Sequence, residues 1–370
     1  MEGQGSCCSS NYRDGQERER PICIVTGANT GIGKETALGM AAAGFHVILA
    51  CRSIERGQAA TQDIRQTLLS RNETQHRQQQ GHEEGEEPSL EVMELDLSDL
   101  SSVRRFVRLF RKAHPKLHVL VNNAAVVTAT RKENNAGLEL MFATNHLGPF
   151  LLTNLLLPSL QAASSASDAP PARIIVVSSA AHAFCGPLTE DDEEKLLHAP
   201  HFTGTAASVD VYGRSKLCNV LFTVELHRRL QQLQDGGANI IVNAVHPGPV
   251  NTDLVREGPR FLAWLYRSVS ALFFKTPAQG ARGSLHCALN RQLGEQKVSG
   301  KYFGDDREAA PKPFSQDREA AAMLWQWSER LAGWKWEERD TYDYDEEEET
   351  DEAMERSAEK EEQEEQKRNA

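Results

Sequence analysis

The chain has 370 residues, of which 39% are hydrophobic and 25% charged, which is enough apolar content for one large α/β domain or two small ones. Its formal net charge of −12 comes from the C-terminus, because residues 337–370 contain 17 acidic and 5 basic side chains while the rest of the chain is balanced. Because the body of the chain has no excess of positive charge, it is not expected to bind nucleic acid.

The N-terminus and the cysteines indicate the compartment. Residues 1–20 form a polar leader without the apolar core of a signal peptide or membrane anchor. The seven cysteines are odd in number and show no metal-ligand spacing. This favours reduced, mostly buried thiols, no metal site and a cytoplasmic rather than secreted protein. For Cys7 and Cys8 two interpretations stay open, an unmodified dipeptide and an acylated one.

Short apolar runs alternate with amphipathic runs along the chain. The apolar runs predict six strands, at residues 22–27, 45–51, 90–97, 117–124, 173–179 and 239–248. Helical periodicity is found at residues 34–44, 100–113, 137–160 and 209–230, and a polar helix follows the second strand. The hydrophilic residues 70–89 are interpreted as a mobile loop. This alternation predicts a parallel sheet covered on both faces, which is a doubly wound α/β (Rossmann) fold.

The domain boundaries follow from composition. One domain is expected over residues 21–334, followed by a charged, low-complexity tail at residues 335–370 that is expected to be disordered. The tail is interpreted either as a solvated, dispensable segment or as an acidic interaction segment.

The segment TGANTGIGKETA begins where the first strand ends and opens the first helix. Gly27, Gly31 and Gly33 permit a tight turn and a close approach of the backbone to a pyrophosphate. The following helix N-terminus directs its free N–H groups at such an anion. The segment therefore predicts a dinucleotide site, against the alternative of a purely structural turn.

The T-G-x-x-x-G-I-G spacing resembles the short-chain dehydrogenase/reductase superfamily. The segments ACRS, LDLSDLSSVR, NHLGPFLLT, YGRSKLCNVLFTVEL and HPGPVNTDL resemble its retinol-dehydrogenase-like branch, over about residues 20–333. The resemblance implies hydride transfer between a nicotinamide cofactor and an apolar aldehyde, ketone or alcohol. Retinal and retinol are the leading candidates.

The second strand ends at LACRS, which has no carboxylate before Glu55 to bind a ribose 2′-OH. Arg52 there suits a 2′-phosphate, and this favours NADP(H) over NAD(H). Ala125 departs by one methyl group from the N-N-A-G pattern of the family. The resemblance implies that the cofactor is bound by Thr26, Gly27, Asn29, Gly31, Ile32, Gly33, Arg52, Asp96, Leu97, Asn123, Ala124, Tyr212, Lys216, Pro247, Gly248, Val250 and Thr252.

Tyr212 and Lys216 lie four residues apart, which places both side chains on one face of a helix. A neighbouring ammonium favours the phenolate and brings the tyrosine pKa down from about 10 towards neutral pH. The resemblance implies that Ser179 orients the substrate oxygen and that the main chain of Asn145 holds a water and the lysine. His246 is interpreted as a structural rather than a catalytic residue.

An apolar segment, FLAWLYRSVSALFF at residues 261–274, lies within the region where the family has its variable substrate lid, about residues 253–276. Three interpretations stay open: a core helix, a lid over an apolar pocket, and an interfacial helix in contact with a membrane. The segment is too short to span a bilayer. Peripheral membrane contact and a homodimer are both compatible with the sequence.

A second class of function is a cofactor-binding regulatory protein with little turnover, acting through its acidic tail. The presence of Ser179, Tyr212 and Lys216 together argues against it, since a protein without turnover has no need to keep all three.

Overall fold

The computed structural model describes residues 20–79, 87–166, 168–198, 205–234, 239–250 and 275–339. Several predicted features lie outside the described residues: the polar leader up to residue 19 with Cys7 and Cys8, Thr252, most of the lid region, and the chain beyond residue 339.

Eight strands form a single sheet. They are β1 (Ile22–Thr26), β2 (His46–Cys51), β3 (Leu90–Glu94), β4 (Val119–Asn122), β5 (Ala172–Val177), β6 (Ile240–His246), β7 (Tyr302–Gly304) and β8 (Arg307–Glu308). The order is β3-β2-β1-β4-β5-β6-β7-β8, with β8 alone antiparallel to its neighbour. The six predicted strands are confirmed, and the strand order reverses between β1 and β4, where doubly wound sheets bind their ligands.

The described helices are α1 (Gly31–Ala42), α2 (Ile54–Gln79), α3 (Leu100–Ala113), α4 (Leu140–Phe142), α5 (Gly148–Leu155), α6 (Leu157–Ala163), α7 (Asp192–His198), α8 (Thr205–Gln234), α9 (Pro277–Leu289), α10 (Arg291–Glu295) and α11 (Arg318–Ala332). A π-helical turn, Ala143–Leu147, joins α4 to α5.

Two hydrophobic cores lie on opposite faces of the sheet. Side chains of a strand alternate between faces, so Ile24 of β1 joins the core formed with α3, α5, α8 and α11. Its neighbour Val25 joins the core formed with α1, α2 and α9. Both faces are therefore covered, as expected for a parallel sheet, and the doubly wound α/β fold is confirmed.

The interpretation of residues 70–89 as a loop is wrong in its first half, because α2 continues to Gln79. Residues 58–80 contain neither glycine nor proline, and they include seven glutamines and three arginines, which favour helix. Ile64 and Leu68 of α2 are buried against the sheet. The polar composition of residues 70–79 is therefore compatible with a helix and does not by itself indicate a loop.

The helix predicted over residues 137–160 is interrupted. It begins at Leu140, capped by the Glu139 carboxylate, which accepts a hydrogen bond from Phe142 N at 2.7 Å. It breaks at Leu156, where Pro158 in the first turn of α6 has no N–H to continue the ladder. Among the described residues no single helix is long and apolar enough to cross a membrane, although the bent pair Leu140–Leu155 and Leu157–Ala163 passes by length and composition.

The packed domain extends beyond the predicted boundary at Lys335. Trp334 and Trp336 are buried against Trp325 of α11, and the Arg229 guanidinium of α8 lies 4.4 Å from the Trp325 ring centroid. The boundary is therefore placed too early, because charged residues surround these tryptophans in the sequence and hide their apolar contribution.

Candidate active site

The turn between β1 and α1 can be formed only with glycine at its key positions. Gly27 and Gly31 have φ values of +65° and +57°, in the left-handed region that side chains disfavour. A Cβ on Gly33 would overlap Gly27 O and approach Asn123 Nδ2 to 2.5 Å. The backbone of the turn is thus drawn against α1, and its outer side is left accessible to a ligand.

The N-terminus of α1 has no side-chain cap. Thr30 is extended and makes no capping hydrogen bond, and the first turn contains no acidic residue. The first N–H groups of a helix lack intrahelical partners and carry a partial positive charge. This end of α1 is therefore compatible with an anionic phosphate, and the dinucleotide site stays a prediction.

Thr26 holds the ends of β1 and β4 together. Its buried hydroxyl accepts from Asn123 N and Ala124 N, each at 3.0 Å, and donates to Val121 O at 3.4 Å. The Asn123 side chain donates back to Thr26 O at 2.8 Å. Thr26 and Asn123 thus act by positioning the two loops, since these atoms are engaged with each other.

Arg52 lies directly after β2 and is exposed, and no described residue pairs with its guanidinium. The preceding Cys51 thiol is near the backbone N–H groups of Ala28 and Asn29, and burial raises its pKa to about 11. Arg52 therefore begins beside the glycine turn. The nearby Glu55 is held by the Ser53 hydroxyl at 2.8 Å, which lowers the Glu55 pKa.

Asp96 and Leu97 lie just beyond β3. The Asp96 carboxylate accepts from Ser98 N at 2.9 Å and from Ser98 Oγ at 2.7 Å, which fixes the turn before α3. Leu97 is buried, and a Cβ on Gly148 would come within 3.0 Å of its Cα. This segment is consequently held against α5 at the carboxyl edge of the sheet.

The segment after β6 packs onto the glycine turn. A Cβ on Gly280 of α9 would meet Val250 at 2.8 Å and Ile32 at 3.1 Å, so these three residues are in contact across the turn. Gly248 has a φ of +76°, and Lys275 donates to Pro247 O at 3.2 Å. Pro247, Gly248 and Val250 are thus brought to the N-terminus of α1, and Thr252 lies outside the described residues.

Tyr212 and Lys216 share one face of α8. The Lys216 side chain is 1% exposed, and its ammonium donates to Val177 O at 2.9 Å and lies 5.9 Å from the Tyr212 ring centroid. Burial lowers the Lys216 pKa to about 7. The amine beside the tyrosine therefore gains and loses its proton near neutral pH, and little water screens its charge when it is protonated.

The two serines after β5 have different surroundings. Ser178 is buried and donates to Lys216 O at 2.8 Å, which ties β5 to α8. Ser179 is half-buried and caps the 3-10 turn Ala180–Ala183, accepting from Ala181 N at 3.2 Å. Of the two hydroxyls, that of Ser179 is the one with access to a ligand.

Asn145 lies within the π-helical turn Ala143–Leu147, a geometry found frequently at functional sites. Its amide accepts from Val126 N at 2.8 Å and donates to Val126 O and Ser215 Oγ, both at 3.0 Å. Ser215 in turn donates to Tyr212 O at 2.7 Å. The side chain of Asn145 therefore joins the loop after β4 to the helix of Tyr212.

Two positioning residues were not identified from the sequence. A Cβ on Gly213 would approach Ala181 O to 2.8 Å, so glycine here lets α8 lie close to the turn that begins at Ser179. The signal was a glycine inside a helical run, directly after Tyr212. Ser178 has no such signal, because the link from its hydroxyl to Lys216 O depends on the packing of two segments that are distant in the sequence.

The surroundings of Tyr212 are apolar. Met141, Val126, Val127 and Val211 pack with its ring in one cluster. Two large apolar side chains are exposed: Phe184, 82% exposed, directly after the 3-10 turn that begins at Ser179, and Val209, 45% exposed, on α8 three residues before Tyr212. His246 stacks on Tyr302 with ring centroids 5.4 Å apart, and its Nδ1 accepts from Gly248 N at 3.2 Å.

The fold, the glycine turn and the Tyr-x-x-x-Lys pair on α8 define a nicotinamide-dependent oxidoreductase, and the chain belongs to the short chain dehydrogenase family, whose model matches residues 21–188. It is 37% identical over 333 residues to mouse retinol dehydrogenase 12, covering 90% of this chain and 92% of that protein. It is 39% identical over 311 residues to human dehydrogenase/reductase SDR family member 13, covering 84% and 72%. These relatives confirm the resemblance to the retinol-dehydrogenase-like branch.

A solved structure shows the same architecture. A crystal structure of a protein from Mycobacterium paratuberculosis superposes with a TM-score of 0.60 at 30% identity, covering 86% of this chain and 94% of that one.

Proposed function

We propose that the protein is an NADP(H)-dependent oxidoreductase that interconverts apolar carbonyl compounds and their alcohols, with retinal and retinol as the leading pair. The observation that carries the proposal is the buried Lys216 ammonium beside Tyr212, on a helix that Ser178 and Asn145 tie to β5 and to the loop after β4.

The cofactor would be held by the uncapped N-terminus of α1 and by the glycine turn, whose tight backbone fits a pyrophosphate. A bound NADPH supplies the hydride. Tyr212 would protonate the substrate oxygen in the direction of reduction, and the nearby Lys216 cation would stabilise the phenolate that remains. The Ser179 hydroxyl would donate to the same oxygen and orient it.

The preference for NADP(H) rests on Arg52. Its guanidinium is exposed and free of partners among the described residues, while Glu55, the nearest acidic side chain in the sequence, is engaged by Ser53. A positive charge at this strand end suits a 2′-phosphate, whereas a carboxylate would suit a free ribose hydroxyl.

An apolar substrate is supported by the cluster of Met141, Val126, Val127 and Val211 at Tyr212, and by the exposed Phe184. An aliphatic or polyene chain would cover these side chains and remove them from water. The names of the relatives, which are retinol dehydrogenases, point to the same class of substrate.

The test is a cofactor-consumption assay of purified protein with all-trans-retinal, other lipid aldehydes and steroid ketones, using NADPH and NADH in parallel. We expect turnover of at least one of these apolar carbonyls and a higher kcat/KM with NADPH. Absence of turnover across the panel with either cofactor would contradict the proposal.

A separate variant tests the preference for NADP(H). Arg52→Asp should reverse or abolish the preference for NADPH by removing the phosphate ligand, while Arg56→Asp, an exposed arginine one turn further along α2, should leave it unchanged. If the ratio of kcat/KM with NADPH to kcat/KM with NADH is unchanged in Arg52→Asp, the 2′-phosphate is bound elsewhere.

The homodimer and the peripheral membrane contact stay predictions.

A further inference from the structure

Three side chains with metal-binding atoms meet at the amino edge of the sheet, away from Tyr212. His46 is the first residue of β2, Glu91 lies near the start of β3, and His114 is the C-cap of α3. Glu91 pairs with Ile48 across the parallel strands, and His46 precedes Ile48 by two residues. Because strand side chains alternate, His46 and Glu91 project from the face that α3 covers.

The three ligand atoms converge. His46 Nε2 lies 3.2 Å and His114 Nε2 lies 3.0 Å from the same Glu91 oxygen, Oε2, and all three atoms lie within 4.8 Å of one another. The imidazole centroids are 5.2 Å apart. The two histidine side chains are 19% exposed and that of Glu91 is 38% exposed, so the cluster is enclosed but open to solution on one side.

The orientation of His46 is fixed by a further contact. Its Nδ1 lies 2.7 Å from Ser89 Oγ. Without an ion, Nε2–H donates to the Glu91 carboxylate and Nδ1 accepts from the Ser89 hydroxyl. In the other tautomer Nδ1–H donates to Ser89, and the Nε2 lone pair is free to bind a cation shared with Glu91. Histidines that bind metals commonly donate their second ring N–H to an oxygen in this way.

The charge of the cluster also favours a cation. Glu91 supplies the one carboxylate of the cluster, beside two imidazole rings. β3 is the edge strand of the sheet, so no further strand of the described sheet covers this carboxylate.

We propose that His46, Glu91 and His114 form a binding site for a divalent transition metal ion, with zinc as the best match. Two imidazole nitrogens and one carboxylate oxygen are a donor set that zinc prefers over calcium or magnesium. Neighbouring ligand atoms at about 2.0–2.2 Å from a tetrahedral ion lie about 3.4 Å apart, so each nitrogen would move slightly away from the Glu91 oxygen to admit the ion, and the fourth position would be left for water. The ion would tie β2, β3 and α3 at the end of the sheet opposite the proposed active site.

The experiment uses the full, tag-free chain in reducing buffer after treatment with a chelator. Zinc is titrated by calorimetry, and Co²⁺ is added separately because its visible absorption reports tetrahedral coordination by nitrogen and oxygen. The variants are His114→Ala, Glu91→Gln and Ser89→Ala. The matched control is His286→Ala, a half-buried histidine on α9 that lies outside the cluster.

We expect one zinc ion per chain for the wild type and for His286→Ala, with the cobalt spectrum of a tetrahedral site. Loss of the hydroxyl that contacts His46 Nδ1 in Ser89→Ala should weaken binding by about 10- to 100-fold, and loss of a ligand in His114→Ala or Glu91→Gln should weaken it further. Ser89→Ala removes one hydroxyl at the surface, so it keeps the test decisive if a ligand variant fails to fold. Absence of binding by the wild type, or equal affinity in Ser89→Ala and the ligand variants, would overturn the proposal.

Discussion

Replacing Lys216 with methionine should make the protein more stable at neutral pH, although this lysine belongs to the proposed catalytic pair. The ammonium is 1% exposed, and burial lowers its pKa from 10.5 to about 7. Methionine has a similar length and no charge to desolvate. The free energy of unfolding should therefore be lower in the wild type than in Lys216→Met, because only the wild type buries a charged group beside Tyr212.

The size of the effect follows from proton linkage. The change in pKa corresponds to about 5 kcal/mol, at roughly 1.4 kcal/mol for each pKa unit. Between pH 7 and 10.5 the unfolded state binds more protons at this lysine than the folded state, so the stability of the wild type rises with pH. Below about pH 7 the burial of protonated Lys216 destabilises the folded state by the full amount, and above about pH 10.5 this destabilisation is absent.

One opposing effect reduces the gain in stability expected for Lys216→Met. Methionine cannot donate to Val177 O, and a lost hydrogen bond of this kind costs about 1–2 kcal/mol. Asn219 Nδ2 still donates to the same carbonyl at 3.3 Å, which limits that cost. The net expectation for Lys216→Met is a gain of about 3 kcal/mol at pH 7 that falls close to zero at pH 9.5.

The assay is urea unfolding without cofactor at pH 7 and at pH 9.5, followed by tryptophan fluorescence. Titrating groups away from Lys216 are shared by the two proteins and cancel in the difference. Lys301→Met replaces a lysine that is 49% exposed and should change stability by less than about 0.5 kcal/mol at either pH. A Lys216→Met protein that is less stable than the wild type at pH 7, or whose advantage grows with pH, would refute the reasoning.

Two glycine substitutions test the backbone packing of the site. Gly33→Ala would press a methyl group against Gly27 O, and strain of about 1–3 kcal/mol should lower NADPH affinity by roughly tenfold or more in a fluorescence titration. Gly213→Ala would approach Ala181 O to 2.8 Å and displace the turn that begins at Ser179, so kcat should fall by about tenfold in steady-state assays while NADPH binding changes little. Gly186→Ala is the control for both variants, because a Cβ at Gly186 meets open space. If Gly33→Ala loses no more NADPH affinity, and Gly213→Ala no more kcat, than this control does, close packing is not the cause.

The sheet could be predicted well because β1, β2, β4, β5 and β6 are buried along almost their whole length and form continuous apolar runs. β7 and β8 escaped prediction because they have three and two residues, too few for periodicity to appear. The extension of α2 to Gln79 was missed because a solvated helix and a polar loop have similar compositions. Local pattern therefore identifies buried strands more reliably than exposed helices.

The site could be predicted where function requires a fixed local spacing, as in the glycine turn and the Tyr212–Lys216 pair. The contacts of Ser178 with Lys216 and of Asn145 with Ser215 join residues 38 and 70 positions apart, and no local pattern encodes such links. The cluster of His46, Glu91 and His114 arises in the same way, from strand register and the position of α3. Its histidines are isolated in the sequence, which accounts for the prediction that the chain has no metal site.

The most direct test of the proposed chemistry is the rate of all-trans-retinal reduction by NADPH in the wild type and in Tyr212→Phe, with NADPH affinity measured on the same preparations. Removing the proton donor should lower kcat by about 10²- to 10⁴-fold. NADPH binding should stay nearly unchanged, because the glycine turn and Arg52 are intact. Tyr212→Phe turnover close to that of an active wild type would contradict the assignment of proton transfer to this residue.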